Sequence, residues 1–286
     1  MSSIYKAILA KRQDMTEWMI HFTHDQGPTP ARQVLKTILI EGVLRPGFAP
    51  RGVPPKATVY GPDPAVCFTE QPLGSFLQYL AVRGRSSAMD GYGLLIHKDD
   101  VYAAGGLPVI YGLTAARELK FADEGFDPEH RILGEEALPL REQYRYVAFA
   151  PTNTPSPIDW SHEREWRWSS RETRMEGETR GTLSLGLTFA GSRGAFRSRV
   201  NAFVARDEDL DWLRREVSRA YHAGQVGFPA DPEAEDHFGW WHRWLPRVHV
   251  ISLETASREL ARADGRYNRF EDWPDDAKYP LVLPTP

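Results

Sequence analysis

Four short runs, in a set order, decide how this chain can fold: His21-Phe22-Thr23, Val66-Cys67-Phe68-Thr69-Glu70, Ala104 to Tyr111, and Glu163-Arg164-Glu165-Trp166-Arg167-Trp168. Each sets polar, chemically useful side chains on or beside a short β-like stretch, which is where a rigid site is built. Between them lie helical stripes and Pro/Gly-rich loops, so the elements are expected to pair into one sheet with flanking helices.

The local signals run as follows. Residues 1–20 mix helix formers with polar residues, predicting a helix that enters a strand at Trp18 to Phe22. Val34, Leu35, Ile38 and Leu39 recur at helical spacing from Ala31, and Gly42 is placed to close that helix. Pro46 to Pro64 holds six prolines (46, 50, 54, 55, 62 and 64) and three glycines, which predicts a shaped surface loop. Val66 to Thr69 reads as a strand, Phe76, Leu77, Leu80 and Ala81 as a helical stripe, and Tyr92 to His97 as a second strand. Asp99 and Asp100 suit the start of a short helix that Gly105-Gly106 ends before a strand from Pro108 to Tyr111. Strands follow at Tyr144 to Phe149 and Glu163 to Trp168, with a loop at Pro151 to Pro157 between them. Beyond residue 180 the pattern gives strands at Gly181 to Phe189, Val200 to Val204 and Arg247 to Ser252. It also gives a helix carrying Leu210, Leu213 and Val217 that stops at Gly224, and another from Glu254 to Ala263.

Composition narrows the class. With 286 residues, 41% of them hydrophobic, the chain can bury a substantial core, read here as one domain with a C-terminal elaboration. A net charge of -4 supplies no global basic field for nucleic acid or an anionic membrane. Cys67 is the only cysteine, which excludes an intrachain disulfide and a cysteine-rich zinc site and fits a reducing cytoplasm. No stretch approaches the ~20 apolar residues of a bilayer span. The expectation is a soluble, cytoplasmic protein without a membrane partner.

Several residues carry chemistry in this pattern. On a strand with period-two alternation, Trp166 and Trp168 share one face, and Glu163, Glu165 and Arg167 share the other. Such carboxylates beside Arg164 and Arg167 form either a surface ion-pair cluster or an acid/base or cation-stabilising pair. His21 and Thr23 share a face too, and an imidazole with a hydroxyl can hold a ribose diol; a histidine satisfied in the core or at its rim is the competing reading. The pairs His21/His24 and His237/His242 lack zinc-enzyme spacing, so no metal is expected. There is no phosphate-binding P-loop, and Gly91-Tyr92-Gly93 lacks the third glycine of a dinucleotide-binding turn. Arg193, Arg197 and Arg199 with Phe196 and Phe203, and Trp240, Trp241, Arg243 and Trp244, are the residue types of a single-strand nucleic-acid binder. A solvated charged face and an aromatic core are the general expectation for such stretches.

The order of these pieces resembles a family. The frame of His21-Phe22-Thr23, Ile38 to Leu44, Val66 to Tyr79, Asp100 to Val109 and then Glu165 is similar to DarT-type ADP-ribosyltransferase toxins. It also resembles the AbiGi-like abortive-infection group, in which a strand ending in Glu-Trp-Arg recurs. The likeness spans about residues 18–170. It implies an α+β fold, an ADP-ribosyltransferase-like split mixed β-sheet with flanking helices over 1–180; residues 181–286 are expected to form a C-terminal α/β elaboration on the same domain. It implies NAD as substrate, with His21 and Thr23 at the adenosine-side ribose and an aromatic, Phe76 or Tyr79, near the nicotinamide. Glu165 becomes the catalytic carboxylate and Glu163 a substrate-binding residue, since Glu163-Arg164-Glu165 also resembles the Glu-x-Glu of arginine-modifying relatives. In the toxins the loop after the first helix carries an arginine that binds NAD and acceptor; here that loop offers Arg45, Arg51 and Lys56, and Arg51 joins the NAD-binding set.

The implied activity is NAD-dependent ADP-ribosyl transfer to a macromolecular acceptor (DNA, RNA or protein) by a toxin or phage-defence effector with an antitoxin or immunity partner. Two alternatives stay open: an inactive fold relative serving as a binding or sensing module of a defence system, and a metal-independent nuclease or RNA-processing enzyme using His21 and Glu165 as a general acid/base pair.

Overall fold

The computed structural model describes residues 7–8, 11–41, 43–50, 56–83, 91–112, 131–152, 155, 157–169, 183–184, 200–222, 249–262, 269 and 279–280. In chain order the elements are β1 (Trp18–Phe22), α1 (Ala31–Glu41), β2 (Val43–Leu44), β3 (Ala65–Thr69), α2 (Leu73–Arg83), β4 (Gly93–His97) and α3 (Lys98–Ala103). Next come β5 (Leu107–Pro108), β6 (Ile110–Gly112), β7 (Tyr146–Ala148), β8 (Glu165–Ser169), β9 (Leu183–Ser184), β10 (Val200–Ala205), α4 (Leu210–His222), β11 (His249–Ser252), α5 (Leu253–Arg262) and β12 (Tyr279–Pro280). The chain is α+β, and its strand pairs are mostly antiparallel. No helix among the described residues is long and apolar enough to cross a membrane.

Two compact units are interleaved along the chain. The first takes Met1–Val43, Glu70–Asp100 and Ser184–Pro286; the second takes Leu44–Thr69 and Val101–Leu183. The C-terminal segment groups with the N-terminal strand and helix.

In the first unit, strands run in the order β12-β11-β10-β4-β1, with β10 and β11 parallel and the other pairs antiparallel. Leu94, Leu95 and Ile96 of β4 are fully buried, so both faces of this central strand are covered. Ile20, Leu95, Val204 and Ile251 pack with Leu73, Phe76 and Leu77 of α2 and Ala256 of α5, and the half-buried Trp18, Phe22 and Tyr79 close the cluster. The stripe expected for α1 is present, with Ala31, Leu35, Ile38 and Leu39 buried. Its first backbone N–H donates to Asp25 Oδ1 at 2.8 Å, which satisfies one orphan donor of the helix start. Ion pairs Arg32–Asp209 (3.0 Å) and Lys36–Glu216 (3.1 Å) fasten α1 to the α4 segment, and the Arg32 guanidinium lies 4.3 Å from the Trp212 ring centre.

In the second unit β8 lies between β3 and β5, antiparallel to both, while β6 and β7 form a separate parallel pair. Val59, Ala65 and Tyr144 make one apolar cluster and Tyr60, Leu133 and Tyr146 another. Gln143, fully buried, clamps the segment before β7 by accepting from the Leu133 N–H (2.9 Å) and donating to the carbonyls of Leu133 (2.6 Å) and Leu138 (2.9 Å).

Three local expectations change. Pro108 to Tyr111 is not one strand: β5 pairs with β8 and β6 with β7, and the chain passes between the two sheets at Val109. Tyr144 to Phe149 opens with a 3₁₀ turn, Leu140–Arg145, before β7 begins. Glu163 to Trp168 is broken at Arg164, whose φ of 47° is left-handed; Ser161–Glu163 is a 3₁₀ turn and the strand starts at Glu165. Glu163 and Glu165 therefore do not share a strand face by alternation. Gly105 does end α3 as expected, at φ 92°, where a side chain would be strained.

Candidate functional site

The clearest concentration of chemistry is in the second unit, at the start of β8. Glu165 is the first residue of the strand, and alternation sends Glu165 and Arg167 to the face opposite Trp166 and Trp168. The tryptophans are buried, and the Trp168 indole N–H donates to the Ala104 carbonyl at 2.8 Å. The Arg167 side chain is 5% exposed and buried, while that of Glu165, at 13%, keeps some contact with solvent. Arg167 grips the carboxylate side-on: Nε donates to Oε1 at 2.8 Å and an Nη to Oε2 at 3.2 Å. The other Nη donates to the carbonyls of Tyr144 (2.8 Å) and Tyr146 (3.1 Å). A planar guanidinium suits this double demand, because its donors are fixed in a fork.

Register brings more groups to the pair. Cys67 of β3 and Leu107 of β5 stand opposite Arg167, and Thr69 stands opposite Glu165. The Thr69 hydroxyl donates to the Glu163 carbonyl at 2.6 Å, and the Val109 N–H donates to the Glu165 carbonyl at 3.1 Å. The backbone on both sides of the left-handed Arg164 is thus held. Desolvation, reinforced by the Glu165 charge and opposed by Arg167, pushes the thiol of the partly buried Cys67 up from its usual range. Burial disfavours the Arg167 charge, but Glu165 and then Cys67 act the other way, and the net direction is up. Tyr111, half-buried on β6, donates its hydroxyl to the Trp160 carbonyl at 3.2 Å. Burial, then the charges of Glu165 and Glu163, push its phenol up to about 12.

The residues carried to NAD by resemblance lie mostly in the first unit, and they divide. His21 is half-buried on β1, opposite Leu94 of β4. Thr23 is 2% exposed; its hydroxyl lies 3.0 Å from both the Ala31 and Tyr92 carbonyls, and its N–H donates to Tyr92 at 2.8 Å. A hydroxyl has one proton to give, and here it is directed at the backbone around β1. Phe76 is 2% exposed and stacked on Phe22 with centroids 4.1 Å apart, within the apolar cluster of the first unit. Tyr79, 6.2 Å from Phe76 and half-buried, is the aromatic of that helix left with surface to offer. Glu70 is buried and paired with Lys98.

Arg51 lies outside the described residues, as do Gly42, Gly224, His237, His242, the Arg193 to Arg199 strip and the Trp240 to Trp244 cluster. Among the described residues no group of three or more His, Cys, Asp and Glu side chains is placed to hold a metal.

The sequence places Arg167 beside Glu165 only as a member of an ion-pair cluster and gives Tyr111, Cys67 and Thr69 no role. The i, i+2 spacing on a strand is the signal for the Glu165–Arg167 pair. Nothing in the pattern signals Tyr111, because its approach depends on the chain leaving one sheet for the other at Val109. No protein-family model, curated protein or solved structure matches the chain.

Proposed function

We propose that this chain is an NAD-dependent ADP-ribosyltransferase, with the corresponding split-sheet fold, that modifies a macromolecular acceptor as a toxin or phage-defence effector. The observation that carries the reading is the fixed Glu165 carboxylate at a strand start, one-eighth exposed and oriented by a buried guanidinium. Breaking the glycosidic bond to nicotinamide develops positive charge on the ribose. A carboxylate that need not reorganise stabilises that charge more than it stabilises the ground state. Arg167 uses one lone-pair direction on each carboxylate oxygen, and an ionised carboxylate has about four, so accepting capacity remains for a ribose hydroxyl. Within the second unit, Glu163 is assigned to substrate binding.

The second reading, a binding or sensing module without catalysis, has its own support. Both Glu165 oxygens already accept from Arg167, which neutralises part of the charge catalysis needs, and Thr23 and Phe76 serve the fold. Incubating the purified chain with labelled NAD and separate pools of DNA, RNA and cell protein separates the two. Label transfer or nicotinamide release that Glu165→Gln cuts by roughly 10²-fold supports the transferase. A melting temperature raised by NAD without turnover supports the module. Neither response at millimolar NAD refutes both.

A further inference from the structure

We propose that Arg167 is the positioning residue of this site, setting the direction of the Glu165 carboxylate by tying it to the backbone of Tyr144 and Tyr146; the proposal rests on the transferase reading. Four contacts define the role. Two N–H groups go to the two carboxylate oxygens, and one Nη spans two carbonyls on the segment running from the Leu140–Arg145 turn into β7. That segment is itself held from behind, since Gln143 fastens it to Leu133 and Leu138 and the Arg145 Nε donates to the Pro108 carbonyl at 2.9 Å. Arg167 also sits on the middle strand of three, flanked by Cys67 and Leu107, so its own backbone is paired on both sides. The chain Gln143–Tyr144/Tyr146–Arg167–Glu165 therefore passes orientation from a rigid backbone to one carboxylate.

A surface ion pair would have none of these properties. It would be exposed, its arginine would be free to swing, and its contribution would be small. Here the guanidinium is buried and most of its donors are spoken for, so Glu165 keeps one direction. Arg167 does not touch substrate in this scheme; it acts through Glu165. Lysine cannot replace it, because an ammonium is a point donor and cannot meet two carboxylate oxygens and two carbonyls in one plane.

The test compares the full-length wild type with Arg167→Lys, which keeps the charge and loses the fork. With labelled NAD as substrate, kcat is expected to fall roughly 10²-fold, the usual cost of a misaligned catalytic group, with KM near the wild-type value. Wild-type kcat in Arg167→Lys, or a loss confined to KM, would overturn the proposal. A readout independent of turnover covers the case in which the variant does not fold. In ¹H–¹⁵N spectra of the wild type, the Arg167 Nε–H should give a shifted, slowly exchanging resonance that moves in Glu165→Gln. An Nε–H that exchanges like a solvated arginine, or does not respond to Glu165→Gln, overturns the positioning role. A wild type that neither binds nor cleaves NAD refutes the transferase reading instead, and the Nε–H signal then reports separately whether Arg167 holds the carboxylate.

Discussion

A double-mutant cycle on Glu165 and Arg167 tests the central claim about this site, that it is one buried charged unit. Removing one member of a buried ion pair leaves the other desolvated and uncompensated, at a cost of about 3–5 kcal/mol. Glu165→Gln keeps one accepting oxygen and its side chain is the more exposed of the two, so about 3 kcal/mol is expected. Arg167→Met strips the carboxylate and also the Tyr144 and Tyr146 carbonyls, each bond adding about 1 kcal/mol, so about 5 kcal/mol is expected. In the double variant no buried charge is stranded. Its cost should fall short of the sum of the singles by about 2–3 kcal/mol, the size of coupling seen between directly contacting groups. Urea unfolding followed by both circular dichroism and tryptophan fluorescence gives the four stabilities, and coincident transitions validate the two-state treatment. Additivity within about 0.5 kcal/mol would show the two side chains to be independent and would remove the basis for a fixed carboxylate.

Phe76→Ala should destabilise the chain by about 3–5 kcal/mol in the same assay, with Tyr79→Ala costing clearly less, because Phe76 is enclosed and Tyr79 only half so; wild-type stability with a lost NAD response would return Phe76 to the binding set. The Tyr111 phenol is held protonated to about pH 12 in the folded chain, against 10 for an ordinary tyrosine. The folded state therefore binds the extra proton between those values, and stability falls as pH rises through that window. Absorbance at 295 nm for wild type minus Tyr111→Phe should show this late titration, and a midpoint near 10 would contradict the placement beside Glu165 and Glu163.

What could be read from the sequence was what depends on near neighbours. Strands β1, β3, β4, β8 and β10 and helices α1, α2, α4 and α5 come from apolar periodicity, and period-two alternation put Glu165 and Arg167 on one face of β8. The break at Arg164 was not visible, since a non-glycine residue in the left-handed region carries no compositional mark, and so Glu163 was read as sharing a strand with Glu165. For Thr23 and Phe76 the sequence leaves core and ligand roles equally open, because hydroxyl and aromatic side chains serve both. Their packing partners, Ala31, Tyr92 and Phe22, are not legible in the sequence, since two of them lie tens of residues away. Tyr144 and Tyr146, which fix Arg167, act through backbone carbonyls that every residue has and no sequence pattern reveals.

The interleaving of the two units bears on how the molecule is made. The chain crosses from one to the other at Val43/Leu44, Thr69/Glu70, Asp100/Val101 and Leu183/Ser184, so neither unit is a continuous segment. During synthesis the second unit has all its residues once Leu183 has emerged, and the Glu165 site can close before Ser184–Pro286 is made. The first unit must wait: β1 and β4 pair early, but β4 gains its other neighbour only when β10 arrives roughly a hundred residues later. Until then one long edge of β4, with its three apolar residues, has no partner strand, and an unpaired apolar edge on a nascent chain is what chaperones bind and what aggregates form on.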